Sequence, residues 1–210
     1  SQNIQASHVI EAIKNADTKF LEGSVGAGCG MSSFGLKGGI GSSSRVIELQ
    51  NKEYTIGSLV LTNFGYPQDL IIDGIKAGEL INNNENIIDK GSIIMIIATD
   101  IPLSSRQLKR ISKRASVGLS RTGSFFSNGS GDIVIAFTTA NKIKHYETND
   151  FIQINTINEN KIDLVFRGVS ESIEEAILNS LICSNETVGR DNHKRQSLKK
   201  YIDLIIKSRQ

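Results

Sequence analysis

Tryptophan is absent from this 210-residue chain, and proline and cysteine occur only twice each. The two cysteines, Cys29 and Cys183, lie far apart, so they cannot form a metal site alone and do not imply a disulfide framework. The formal net charge is only +2, which excludes a strongly basic nucleic-acid scaffold. No apolar run reaches the roughly eighteen residues of a membrane span. The longest run covers residues 93–98 and predicts a buried strand instead.

Signals for export and for metal binding are also missing. The beginning of the chain lacks a charged start followed by an apolar stretch, so we recognise no signal peptide there and expect a cytoplasmic protein, as far as this chain starts where the protein starts. His8, His145 and His193 are scattered, and no His-Glu-x-x-His motif occurs. We therefore expect neither a metal ion nor another cofactor.

With 39% apolar and 22% charged residues, the chain can bury a core, and we expect one domain over residues 1–210. Apolar runs and alternation predict strands over residues 45–49, 54–63, 69–75, 91–99 and 133–139, with a polar loop over 82–89. Helical spacing predicts helices over residues 6–16, 105–119, 172–188 and 196–207. Because strands and helices do not alternate regularly, a layered α+β sandwich fits better than a doubly wound sheet.

The glycine-rich stretch over residues 23–41 does not match a nucleotide-binding motif. Met31 stands where the dinucleotide fingerprint needs its third glycine, and no Gly-x-x-x-x-Gly-Lys-Ser/Thr sequence occurs. We expect these glycines to allow close packing of backbone and positive φ angles. A second candidate for phosphate binding is the basic segment 105–121, but its positive charges are more typical of an amphipathic helix with a solvated face.

The most unusual element for a nucleophile is residues 127–132 (SNGSGD), which join a polar loop to a buried strand. A serine at this junction would be held rigidly, whereas Asn-Gly and Ser-Gly by themselves are typical of a simple turn. The Ser-x-x-Lys spacing at Ser197 and Lys200 lies at the start of an ordinary helix and is attributed to chance.

Blocks along nearly the whole chain resemble, in order, the DmpA-type aminopeptidases, a family that includes L-aminopeptidase/D-esterase and β-peptidyl aminopeptidases. The blocks are residues 22–31 (EGSVGAGCGM), 37–41 (KGGIG), 43–45 (SSR), 97–103 (IATDIPL), 107–110 (QLKR), 128–133 (NGSGDI), 171–176 (ESIEEA) and 186–191 (ETVGRD). The resemblance implies a layered αββα sandwich similar to that of the N-terminal-nucleophile hydrolases and of ornithine acetyltransferase.

Members of this family are made as one inactive chain and cut themselves before a serine, which becomes the N-terminal catalytic nucleophile. On this resemblance the cut falls between Gly129 and Ser130 and leaves residues 1–129 and 130–210. The freed α-amine of Ser130, whose ordinary pKa is about 8, would then act as base for its own hydroxyl. The resemblance thus implies a serine aminopeptidase that acts on short peptides, amides or esters through an acyl-enzyme.

Further site residues are implied by the same resemblance. The family's Ser-x-Glu matches Ser172 and Glu174, which would assist Ser130 and hold the ammonium group of the substrate. Alternatively, Ser172 only caps a helix, because Ser172-x-x-Glu175 fits a capping box. A family asparagine that supports the oxyanion aligns with Asp100, although an ionised carboxylate only accepts hydrogen bonds. Asn63 is another candidate for contact with the oxyanion or the substrate.

Family chains extend further at their N-terminal end, so the resemblance implies that this chain is a fragment, a subunit or a truncated relative. It also implies association with that N-terminal portion and a homo-oligomer, without nucleic acid or membrane as partner. Two alternatives to the peptidase stay open. One is an ornithine acetyltransferase-like enzyme, although those use threonine where this chain has Ser130. The other is a non-catalytic relative with a binding or structural role.

Overall fold

A computed structural model describes residues 4–81 and 91–209. The helices are α1 (Ala6–Lys14), α2 (Ala77–Ile81), α3 (Ser105–Ser112), α4 (Ala115–Arg121), α5 (Ile162–Ile182) and α6 (Ile202–Lys207). The strands are β1 (Ser32–Ser33), β2 (Leu36–Lys37), β3 (Ile40–Leu49), β4 (Lys52–Asn63), β5 (Ser92–Thr99), β6 (Ile133–Thr138), β7 (Thr187–Val188) and β8 (Lys194–Arg195). Among the described residues, no helix is both long and apolar enough to cross a bilayer.

The main sheet has four strands in the order β3-β4-β5-β6. The first three strands are antiparallel, whereas β5 and β6 are parallel and are connected through α3 and α4. In the register of this sheet, Ser58 of β4 lies opposite Ile97 of β5, and Ile97 lies opposite Ala136 of β6. Because β5 and β6 are parallel, the residues that precede both strands meet at one edge of the sheet, which is also where β4 ends at Asn63.

One face of the sheet is closed by α5. Small polar side chains join the two layers: the hydroxyl of Ser58 is 2.7 Å from that of Ser172, and the hydroxyl of Thr62 is 2.8 Å from that of Ser180. Gly41 allows the close approach, because a Cβ at this position would lie only 2.0 Å from the carbonyl oxygen of Ala176. The apolar side of the helix is buried here, as the full burial of Ile173 shows.

The opposite face of the sheet is apolar and open. Ile94, Ile133, Ile135 and Phe137 point away from α5 and are between 39% and 52% exposed. Ile94 and Ile133 lie opposite each other in the register, so these side chains form an apolar patch on this face. The chain therefore supplies one helix layer and one sheet of a sandwich.

The glycine-rich stretch is a packed structural element. A Cβ on Gly39 would lie 2.0 Å from the carbonyl oxygen of Gly23, so the expectation of close backbone packing is confirmed. Lys37, only 2% exposed, donates hydrogen bonds of 2.6–2.7 Å to the carbonyl oxygens of Gly28, Met31 and Gly38. Burial lowers the pKa of this lysine, while the nearby Cys29 acts in the opposite direction. The ammonium group thus holds the glycine-rich turn together.

Several predicted elements differ from the structure. The strand over 69–75 is wrong, because Asp73 and Gly74 adopt positive φ angles and leave a single bridge between Ile72 and Ile75. The helix predicted from Ser172 begins at Ile162. The helix over 105–119 is two helices, α3 and α4, and the last helix starts as a 3-10 turn before α6. The loop predicted over 82–89 lies outside the described residues.

Candidate active site

The junction that joins the polar loop to β6 contains a tight turn. The backbone N–H of Ser130 donates to the carbonyl oxygen of Ser127 at 2.9 Å, so Asn128 and Gly129 occupy the centre of a β-turn. The turn expected from the Asn-Gly dipeptide is therefore confirmed. The intact Gly129–Ser130 peptide bond lies at its end, and Gly129 is exposed.

Ser130 is held through its neighbours Gly131 and Asp132, which contact β5. Its hydroxyl donates to Oδ1 of Asp132 at 2.6 Å, and the same carboxylate oxygen accepts the backbone N–H of Ile93 at 3.2 Å. The N–H of Gly131 donates to the hydroxyl of Ser92 at 3.0 Å. These hydrogen bonds fix Gly131 and Asp132 to the start of β5, just before β6 begins.

Sequence reasoning did not single out Asp132 or Ser92. Residues two apart in an extended segment point to the same side, so the Ser-x-Asp spacing was a usable signal for Asp132. No comparable signal existed for Ser92, because it reaches Gly131 only through the parallel pairing of β5 with β6.

A cleft of about 550 Å³ lies between the start of β6 and the helices α3 and α4. Ser130 and Asp132 line one side of this cleft, and Phe126 lies on the loop before them. Lys109 and Lys113 line the helix side. A nucleophilic hydroxyl, a carboxylate and two ammonium groups therefore share one open space.

The other basic residues of segment 105–121 are engaged within the fold. Arg106 and Arg110 form ion pairs with Glu159, and the guanidinium of Arg114 lies 4.2 Å from the centre of the Phe166 ring. The prediction of a solvated basic face is therefore only partly right, because it did not include these contacts within the fold. The segment begins with a capping box, since Ser104 and Gln107 exchange hydrogen bonds between side chain and backbone.

Ser172 is buried in the middle of α5. Its hydroxyl contacts that of Ser58 and donates to the carbonyl oxygen of Val169 at 3.2 Å. The capping interpretation is wrong, because α5 begins ten residues earlier, at Ile162. Ser58 lies opposite Ile97 of β5, whereas Ser130 lies near Ser92, five residues earlier on the same strand. Five residues of a strand span roughly 16 Å at the usual rise per residue. The uncleaved chain therefore does not bring Ser172 to Ser130.

Glu174 is on the same helix and has a cationic partner. Its carboxylate lies 3.1 Å from the guanidinium of Arg121, the last residue of α4, and its side chain is 26% exposed. In the uncleaved chain this carboxylate is thus neutralised by Arg121 rather than directed at Ser130.

Asn63 and Asp100 lie at opposite ends of the sheet. Asn63 ends β4 directly opposite Ser92, and its Oδ1 accepts the N–H of Ser32 at 3.3 Å. The amide group of Asn63 also carries an N–H hydrogen-bond donor. Asp100 follows β5 at the other edge and accepts the N–H of Thr55 at 2.7 Å. The structure brings Asn63 to the edge of Ser130 and does not bring Asp100 there.

Comparison with known proteins identifies the family of the chain. A family model described as peptidase family S58 matches residues 1–195. The chain belongs to peptidase family S58. Within this family, it is 38% identical over 213 aligned residues to the β-peptidyl aminopeptidase BapA of Sphingosinicella microcystinivorans, with 93% of this chain and 54% of the relative covered. The resemblance to the DmpA-type aminopeptidases is therefore confirmed.

Solved structures of similar proteins support the fold. A Pyrococcus horikoshii protein is 52% identical with a TM-score of 0.91, covering 99% of this chain and 58% of that one. The L-aminopeptidase D-Ala-esterase/amidase of Ochrobactrum anthropi, described as a variant of the Ntn hydrolase fold, is 34% identical with a TM-score of 0.91 over the same shares. The α+β sandwich prediction is thus confirmed. The S58 chain described here spans little more than half the length of these relatives.

Proposed function

We propose that this chain carries the nucleophile of a self-processing serine aminopeptidase that is cut between Gly129 and Ser130. The observation that supports the proposal is the position of Ser130. Its hydroxyl is on an exposed turn at the head of a sheet strand, is hydrogen-bonded to a carboxylate and opens into a cleft. Membership of peptidase family S58 supports the hydrolysis of peptide bonds as the type of reaction.

After the cut, Ser130 has a free α-amine beside its hydroxyl. The amine takes the hydroxyl proton while the oxygen attacks the carbonyl carbon of a substrate amide or ester. The leaving group departs with a proton, and water then hydrolyses the acyl-enzyme and restores the serine. Asn63 provides an amide N–H donor at this edge of the sheet for the negative oxygen of the tetrahedral intermediate.

Ser172 and Glu174 are proposed to assist turnover in the cleaved enzyme. The support for these roles is the family resemblance of the Ser-x-Glu motif, together with the location of both residues on α5, the helix that covers the sheet. Since the uncleaved chain keeps Ser172 against Ser58 and Glu174 against Arg121, their assistance requires the segment at Ser130 to move after cleavage.

Short peptides, amides or esters are the proposed substrates. Two relatives, a β-peptidyl aminopeptidase and an L-aminopeptidase D-Ala-esterase/amidase, have names that cover these classes. Lys109 and Lys113 on the rim of the cleft favour a substrate with a carboxylate close to the cleaved bond, which is the situation in a short peptide.

The open face of the sheet is proposed to be covered by further polypeptide of the same protein. The relatives carry nearly as many residues outside the matched part as within it, and the exposed isoleucines and phenylalanine need an apolar partner. A cytoplasmic location and a homo-oligomer built on the assembled protein remain part of the proposal.

Mass spectrometry of the purified protein tests the main proposal. A fragment that begins at Ser130, together with hydrolysis of aminoacyl-nitroanilides, is the expected result. A chain that stays at full length, with every natural segment present, and hydrolyses none of these substrates would favour the second candidate, a non-catalytic relative. That candidate draws support from the engagement of Ser172 by Ser58 and of Glu174 by Arg121.

A further inference from the structure

The first cut poses a chemical problem that turnover does not. In the mature enzyme the α-amine of Ser130 can act as the base for the hydroxyl. Before the cut this nitrogen belongs to the Gly129–Ser130 amide, whose lone pair is delocalised into the carbonyl group. Another group must therefore take the hydroxyl proton when the chain processes itself.

Asp132 is in the right place for that role. Its Oδ1 accepts the Ser130 hydroxyl at 2.6 Å, a distance typical of a charge-assisted hydrogen bond between a hydroxyl and a carboxylate. The N–H of Ile93 on β5 donates to the same oxygen at 3.2 Å and fixes the direction of the carboxylate. On the other side of the cleft, Lys109 and Lys113 are the charged residues that line it.

We propose that the Asp132 carboxylate is the general base of the self-cleavage step. This inference rests on the proposed function, because it concerns the same cut before Ser130. It assigns the two steps to different bases: a carboxylate in the precursor and the α-amine in the mature enzyme.

The step balances without any co-reactant except water. Asp132 takes the hydroxyl proton as Oγ of Ser130 bonds to the carbonyl carbon of Gly129. The protonated carboxyl group then gives this proton to the Ser130 nitrogen as the C–N bond breaks, which leaves an ester between Gly129 and Oγ. Water hydrolyses the ester to a carboxylate at Gly129, and Ser130 regains its hydroxyl beside a new amine.

Asp132→Asn in the longest natural form of the protein is the direct test. The amide oxygen can still accept from Ser130 and from Ile93, so the turn is preserved while the base is lost. The rate of appearance of the 130–210 fragment, followed by mass spectrometry, is expected to fall by a factor of about 10²–10⁴.

Asp17→Asn is a matched control. The carboxylate of Asp17 also accepts one backbone N–H and one hydroxyl, both from Thr18, but it lies on an exposed segment after α1. This variant is expected to cleave at the native rate.

Asp132→Ala with added formate separates chemistry from folding. A small carboxylate that enters the space left by the side chain is expected to restore cleavage in proportion to its concentration, whereas chloride at equal ionic strength is not. Cleavage of Asp132→Asn at the native rate would contradict the role of Asp132 but not the proposed function. Failure of formate to restore cleavage in a folded Asp132→Ala chain would do the same. A native protein that never cleaves overturns the proposed function as well.

Discussion

Two serine hydroxyls, those of Ser130 and Ser172, are in opposite surroundings. The Ser172 hydroxyl is fully buried, hydrogen-bonded to a second serine and fixed in the middle of a 21-residue helix. The Ser130 hydroxyl is on a turn at the sheet edge, hydrogen-bonded to a carboxylate and open to a cleft. The first arrangement satisfies a polar group within the core, whereas the second can exchange a proton with a base.

This difference separates two roles that the family resemblance alone groups together. The Ser130 hydroxyl already has a carboxylate beside it in the uncleaved chain, as the proposed first cut requires. A hydroxyl shared between two serines has no base beside it, so Ser172 can contribute only after its surroundings change. Variants of the two residues should therefore affect cleavage and turnover differently.

Ser130→Ala is expected to have the largest effect. It removes the nucleophile of both steps, so the chain should stay in one piece and hydrolyse no aminoacyl-nitroanilide above background. Intact mass and a steady-state assay measure the two outcomes. Ser130→Thr and Ser130→Cys are the controls, because each keeps a nucleophilic side chain and is expected to cleave, with slower turnover. Appearance of the 130–210 fragment from Ser130→Ala would show that another residue makes the cut.

Ser172→Ala is expected to slow turnover without slowing self-cleavage. Cleavage before Ser130 should proceed at the native rate, because the uncleaved chain keeps Ser172 away from Ser130. Turnover by the cleaved enzyme should fall by a factor of about 10²–10⁴ if the hydroxyl assists proton transfer. The free energy of unfolding should fall by about 1–3 kcal/mol, since the Ser58 hydroxyl loses its partner in the core.

Ser58→Ala is the matched control for that variant, because it breaks the same hydrogen bond from the other side. It should cost a similar free energy of unfolding and leave turnover per folded molecule unchanged. Equal turnover in Ser58→Ala and Ser172→Ala would assign Ser172 a purely structural role.

The same two regions show how far the sequence could predict the structure. The Asn-Gly turn before Ser130 follows from local backbone preferences and was predicted. The start of α5 was not, because the polar run Ser170, Glu171 and Ser172 has the pattern of a helix start. In the fold these serines point to β4 or to α4 and find partners there, such as Ser58 and the carbonyl oxygen of Arg114. Tertiary contacts of this kind leave no periodic signal in one sequence.

Glu174→Gln is expected to act on substrate preference. If the carboxylate holds the substrate ammonium in the mature enzyme, the ratio of kcat/KM for a peptide with a free N-terminal amine to that for its acetylated form should fall about tenfold, because a charged partner is worth about 1.4 kcal/mol more than a neutral one. Glu171→Gln is the control. Glu171 lies one helical turn away and pairs with Arg45, and its replacement should leave the ratio unchanged.

The smallest expected effect concerns the acid stability of the interface between α5 and the sheet. Hydrogen bonds from Arg45 at 2.5 Å and from Ser43 at 2.8 Å hold the pKa of the Glu175 carboxyl below its ordinary value in the folded protein. Folding therefore favours the ionised form. The resulting stabilisation is present above the ordinary glutamate range and is lost as the pH falls through the lowered pKa of the folded state.

Glu175→Gln removes this proton linkage. As the pH falls through the acid range, the free energy of unfolding should decrease more for the native chain than for the variant. The difference between the two decreases should be about 0.5 kcal/mol, because the pair is partly exposed. Urea titrations at a series of pH values measure the difference. In an Arg45→Gln background the same substitution should change the slope much less, since the main partner is already absent. An undiminished effect in that background would mean that Arg45 does not carry the coupling between α5 and β3.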